Sequence, residues 1–197
     1  MDRQALRALC ATAAFVAGCS SSPSHFYTLN ATVAPVAPVV STAKTSVVVG
    51  PVSVPAAVDQ PQIVVSTGAN QVMFDEFNRW ASPLQDNIAR VVAENLVAAL
   101  GTPRVTLFPQ TLNVDADIRV AIEVRNFEST PGKTASLDAT WTVRRTGDGK
   151  AVTGRTSVRE PVQDTSYEAL AAAHSRALGR LSQDIADAVK PLERPAP

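Results

Sequence analysis

Asp117-Ile118-Arg119-Val120-Ala121-Ile122-Glu123-Val124-Arg125 carries the plainest pattern in the chain. Ile118, Val120, Ile122 and Val124 alternate with Asp117, Arg119, Glu123 and Arg125. That period of two belongs to a strand with one dry and one wet face. Pro131-Gly132-Lys133 then turns the chain, and Ala135, Leu137, Ala139, Trp141 and Val143 alternate with Ser136, Asp138, Thr140, Thr142 and Arg144. Gly147-Asp148-Gly149 makes a second hairpin into residues 151–160. Three such strands predict an antiparallel meander.

Two amphipathic helices flank it. Ser82-Pro83-Leu84-Gln85 reads as a capping box opening a helix, with Pro83 at its first position. Leu84, Ile88, Val91, Val92, Leu96, Ala99 and Leu100 form its apolar face, and Gly101 and Pro103 stop it. Thr165-Ser166-Tyr167-Glu168 is another capping box, led by Thr165, and opens a second helix running to about Lys190 and closed by Pro191. Its face is Tyr167, Leu170, Ala171, His174, Leu178, Leu181, Ile185 and Val189. Upstream, residues 46–54 read as a buried strand broken near Gly50-Pro51, and residues 62–66 and 71–74 as two short strands around a turn. The expected fold class is α+β: a mostly antiparallel or mixed sheet with both helices on one face.

Length and charge narrow the function. The chain has 197 residues, 18 Lys+Arg and 18 Asp+Glu. One domain with room for tails fits that length. A neutral balance without a basic cluster argues against nucleic acid, and no apolar run reaches the ~20 residues of a spanning helix. Both cysteines, Cys10 and Cys19, stand near the N-terminus. Arg3 and Arg7 precede a short apolar stretch, Ala8 to Gly18, too short for a transmembrane helix and suited to a secretory signal.

That stretch ends in Val16-Ala17-Gly18-Cys19 and resembles the lipobox of bacterial lipoproteins. The resemblance implies cleavage between Gly18 and Cys19, with lipid on the Cys19 thiol and on the new amino terminus. Ser20 stands where an Asp would favour inner-membrane retention, so the outer membrane of a Gram-negative cell is implied. The expected organisation is a signal over residues 1–18, lipidated Cys19 with a flexible tether over 19–45, and a domain over 46–197. A flexible tether of that length spans roughly 30 Å. Docking of the β-prone island Phe26-Tyr27-Thr28-Leu29 as an edge strand would shorten it.

Chemistry-bearing motifs are scarce. Nucleophile-elbow, dinucleotide and phosphate-loop patterns are all lacking. His25 falls in the tether and His174 on an apolar helix face, which suits a core or interface histidine better than a metal ligand. Asp75-Glu76 reads as surface carboxylates. No catalytic residue, metal site or cofactor is expected. Phe74, Phe77 and Trp80 lie within seven residues of one another. They are either a segment folded over the core or a contact surface, since aromatics favour interfaces.

The order of these elements resembles the ABC-type transport auxiliary lipoprotein family, the PqiC-like group. The lipobox and Phe26-Tyr27-Thr28-Leu29 carry the likeness, with Val49-Gly50-Pro51-Val52-Ser53-Val54-Pro55, Asp59-Gln60-Pro61-Gln62-Ile63-Val64, Trp80-Ala81-Ser82-Pro83-Leu84 and Asn95-Leu96. The resemblance implies a fold like the N-terminal domain of TolB and no catalysis. The implied role is that of an accessory, facing the periplasm, to lipid transport between membranes. Its implied partners are an MCE-domain protein and inner-membrane transport components, and a homo-oligomeric ring is compatible with it. The alternative is a lipoprotein activator of a periplasmic peptidoglycan synthase, since some of those also carry a TolB-like domain on a tether.

Overall fold

The computed structural model of the chain describes residues 22–34, 45–109 and 116–193. Its elements are β1 (His25–Tyr27), β2 (Val47–Ser53), β3 (Gln62–Gly68), β4 (Gln71–Trp80), α1 (Leu84–Leu100), β5 (Val105–Leu107), β6 (Ile118–Thr130), β7 (Thr134–Arg145), β8 (Ala151–Pro161) and α2 (Tyr167–Glu193).

The alternating stretches form the meander they predict. Val120 pairs with Val143, Ile122 with Trp141 and Val124 with Ala139, all on the buried face. The period then breaks, because Arg125 is an extra residue in a bulge between Val124 and Asn126. Beyond it Phe127 faces inward opposite Leu137. Bulges bend and twist a strand, and this one turns the far half of β6 toward β3, where Ser66 Oγ donates to Glu128 at 2.9 Å. β2 joins β6 in parallel and β5 joins β2 in parallel, giving the five-stranded order β5-β2-β6-β7-β8. The expected break in β2 is a register shift between Val49 and Val52, at Gly50 with φ of 121°.

Both helices cover one face of this sheet. Leu84, Ile88, Val91, Val92 and Leu96 of α1 and Leu170, Leu178, Leu181, Ile185 and Val189 of α2 are buried in one continuous core. Each fully buried Leu or Ile contributes about 1.5–3 kcal/mol from transfer out of water. The helix ends differ from expectation. Pro83, not Ser82, stands before α1, no side chain caps it, and the Pro83 carbonyl takes the N–H groups of Asp86 and Asn87. Ser166, not Thr165, caps α2, accepting from the Ala169 N–H at 3.1 Å. Nor does Pro191 end α2. Leu192 is buried and its carbonyl accepts from Arg145, so tertiary contacts hold the last turn.

A second, three-stranded sheet, ordered β1-β4-β3, stands beside the first where one sheet was expected. β4 does not stop at Phe74 but runs on to Trp80 through an irregular register. The Asp75 carboxylate causes this, since its Oδ1 accepts from the N–H groups of Phe77 and Asn78, both at 2.9 Å. Within the tether expected over residues 19–45, the Phe26-Tyr27-Thr28-Leu29 island docks as the edge strand that would shorten it. The described segment from residue 25 is part of the domain: β1 pairs in parallel with β4, and Leu29 is fully buried.

Candidate functional site

Residues 28–33 form a strap across the seam between α1 and α2, and polar side chains of both helices clasp its backbone. Asn87 Oδ1 accepts from the Leu29 N–H at 3.3 Å. Arg90 donates to the Leu29 carbonyl at 2.6 Å, to Thr28 Oγ1 at 3.1 Å and to Asn87 Oδ1 at 2.7 Å. Ser175 Oγ accepts from the Asn30 N–H at 3.0 Å. Asn95 Oδ1 accepts from Thr32 and Val33 N–H, both at 3.0 Å, while its Nδ2 donates to Ser182 Oγ at 3.2 Å. The strap lies so close to α2 at Gly179 that a Cβ there would stand 2.3 Å from Thr32 Oγ1. Burial of Asn95 is therefore repaid by backbone groups of the strap and by Ser182, as buried polar atoms require, whereas Asn87 is engaged through Oδ1 and its Nδ2 is buried without a partner.

Asp75 ties the small sheet to α2. Tyr167 donates its hydroxyl to Asp75 Oδ2 at 2.7 Å, and Tyr27 donates to Asn78 Oδ1 at 2.8 Å. Partial burial pushes the Asp75 carboxyl up, but the hydrogen bonds from Tyr167, Phe77 and Asn78 outweigh it and leave the group below the usual range. Burial, then the bond to Asp75, raises Tyr167. The two neighbouring carboxylates are engaged separately: Asp75 is a joint to α2, and Glu76 accepts from Gln62 and Arg79.

His174 is a core histidine. It is fully buried, its ring stacks on Phe127 at 3.8 Å, and Nε2 meets Ser129 Oγ at 2.8 Å, while Nδ1 is buried without a partner. Burial holds it neutral, with its pKa lowered to about 3. Among the described residues, no three His, Cys, Asp or Glu side chains gather as a metal site would require, and no helix is long and apolar enough to cross a membrane.

The aromatic trio divides. Trp80 is 6% exposed, edge-on to Phe127 at 6.2 Å, and so is a core residue rather than an interface one. Phe74 and Phe77 are 48% and 46% exposed. The register adds partners that the sequence reading missed. Val72 and Phe74 stand opposite Ser66 and Val64, and Phe26, 66% exposed, stands opposite Arg79. These positions face away from Ile63, Val65, Tyr27 and Trp80, which pack on the core. Phe26 was legible only as part of a β-prone island. Gly18 and Cys19 lie outside the described residues.

Two concavities border this sheet. One, of about 390 Å³, is lined by Asp59, Gln60, Pro61 and residues 80–84. It brings together two of the sequence blocks that carry the family likeness. The other, of about 300 Å³, lies among residues 55–58, the β3–β4 hairpin and the bulged part of β6. Both are open, partly apolar depressions that suit binding.

The model of the ABC-type transport auxiliary lipoprotein component matches residues 27–186. Among solved structures, protein XCC0632 from Xanthomonas campestris, of the DUF330 family, is 20% identical, with a TM-score of 0.67 over 86% of this chain and 96% of that one. A crystal structure titled only as that of an uncharacterized protein is 18% identical, with a TM-score of 0.69 over 85% of this chain and 99% of that one. At these identities the likeness is one of fold, and it agrees with the α+β architecture. No curated protein sequence matches the chain.

Proposed function

Because this chain belongs to the ABC-type transport auxiliary lipoprotein family, we propose that it works by binding rather than catalysis, as the outer-membrane accessory of a system that moves lipid between the two membranes. In this reading Cys19 carries the lipid anchor and the domain faces the periplasm. An MCE-domain protein docks on it, served by inner-membrane transport components, and several copies form a ring around the end of the MCE assembly.

The observation that carries the reading is the strap. It fuses the segment next to the lipobox to the folded domain, leaving only residues 20–24 between Cys19 and the first strand. A protein whose task is to hold a partner at a membrane benefits from such a short link, because it limits where the partner stands. The side chains gathered by the fold are backbone clasps and exposed apolar groups, which suit docking.

Crosslinking in living cells, followed by identification of the captured protein, tests this directly. The expected product contains an MCE-domain protein and is lost when Cys19→Ala releases the domain from the membrane. Capture of a penicillin-binding protein instead would favour the activation of peptidoglycan synthesis and overturn the transport reading.

A further inference from the structure

The outward face of the small sheet is apolar where a wet face is expected. Phe26, Val72, Phe74 and Phe77 are 66%, 53%, 48% and 46% exposed, while Val64, opposite Phe74 on the same face, is buried. Scattered exposed apolar residues are ordinary, but a cluster on one three-stranded sheet marks a contact surface. Polar groups border it. Arg79 stands beside Phe26 in the register, and Arg125 lines the neighbouring depression with Val72. Glu76 is already engaged by Arg79 and Gln62, which reduces the repulsion its carboxylate would offer an anionic surface.

The length of chain leading to this face decides what covers it. Only six residues, seven Cα–Cα steps, separate Phe26 from Cys19. Fully extended, they reach at most ~25 Å. Phe26 cannot leave that radius, because β1 is paired to β4 and Leu29 is buried under the clasp of Asn87 and Arg90. If Cys19 is acylated, Phe26 is held within that distance of the lipid surface. Aromatic and aliphatic side chains rimmed by arginine favour that boundary, with rings at the acyl edge and guanidinium groups among phosphates.

We infer that the outward face of β1 and β4, centred on Phe26 and Phe74, lies on the lipid surface that carries Cys19. The inference rests on the anchoring reading above. Acyl chains supply the affinity, while the face supplies orientation: it lays the small sheet on the membrane and turns β8 and the far end of the meander toward the periplasm.

Spin labels test it in the full lipidated protein, reconstituted into vesicles of phosphatidylethanolamine and phosphatidylglycerol. With Cys19 acylated, the processed chain has no free thiol, so Phe26→Cys, Phe74→Cys and, as a control on exposed β8, Thr153→Cys each take a single label. The expected result is a ratio of oxygen to nickel-chelate collisions at positions 26 and 74 at least threefold above that at 153. Equal, water-like ratios at all three, on protein that floats with the vesicles and whose parent takes no label, would overturn the inference alone. Shielding of position 74 from both reagents with spin–spin broadening would show a second copy on this face and overturn it too. Labelling of the parent protein at Cys19 would overturn the anchoring reading and the inference together.

Discussion

The meander and the N-terminal strap are held in opposite ways. β6, β7 and β8 are neighbours in sequence, and alternating side chains pack them against α2. The strap is made of residues 28–33, held by Asn87, Arg90, Asn95 and Ser175, partners some 60 to 145 positions away. Apolar burial is non-directional and tolerant of small shifts, whereas the clasp works only if each donor meets its acceptor. One region therefore sets the stability of the fold, and the other sets where that fold sits relative to its anchor.

The largest expected effect lies on the apolar side of this contrast. Leu181→Ala removes a fully buried side chain between helix and sheet and should cost about 2–5 kcal/mol. Thermal denaturation should show a single transition, lowered by several degrees. Loss of the strap before the rest would break the comparison from that side.

Acid should come next. The folded-state pKa of His174, about 3, lies below its unfolded value of 6.5. As pH falls, the unfolded chain takes the proton first, so this contribution is whole above pH 6.5 and is lost progressively toward pH 3. At pH 5 the loss should be about 2 kcal/mol, or roughly 4–8 °C. His174→Gln, which keeps a polar partner for Ser129 and does not titrate, should flatten the slope between pH 7 and pH 5. An unchanged slope would place the sensitivity elsewhere.

Asn95→Ala should cost about 1–3 kcal/mol, because two strap N–H groups lose their acceptor. Its more telling effect is local: amides of residues 30–33 should exchange far faster while those of β7 keep their protection. Gly179→Ala sharpens the point. A helix-interior alanine gains up to about 1 kcal/mol over glycine, but its Cβ collides with Thr32. The overall melting temperature should therefore move little while the strap opens. The smallest effect on stability belongs to Phe74→Ser, within about 0.5 kcal/mol as for most surface changes, since whatever Phe74 does is done outside the monomer.

The same contrast explains what could be read from sequence. Alternation at Ile118–Val124 and 3.6-residue stripes on both helices follow from burial, which composition records locally, so meander, helices and fold class were legible. Hydrogen-bonded features were read less well. Proline at position 83 displaced the expected serine cap, and Ser166 took the place of Thr165. The Asp75 carboxylate, by gathering two successive N–H groups, carried β4 past Phe74 with no periodic signal and turned Trp80 inward while Phe74 and Phe77 faced out. Asn87 and Asn95 on the helix and Gly179 inside α2 were the available hints of the strap, two polar residues and one glycine on surfaces where apolar residues pack best. Nothing in their spacing names Leu29 or Thr32 as the partners.

The central claim is that the strap belongs to the domain, so that the anchor sits on a short link. Hydrogen exchange of the Leu29, Asn30, Thr32 and Val33 amides in the full chain tests it most directly. Each donates to a named side chain, and protection of at least a hundredfold over a free peptide is predicted. Exchange of all four at the free-peptide rate, with β6 and β7 still protected, would contradict the account and restore a long flexible tether.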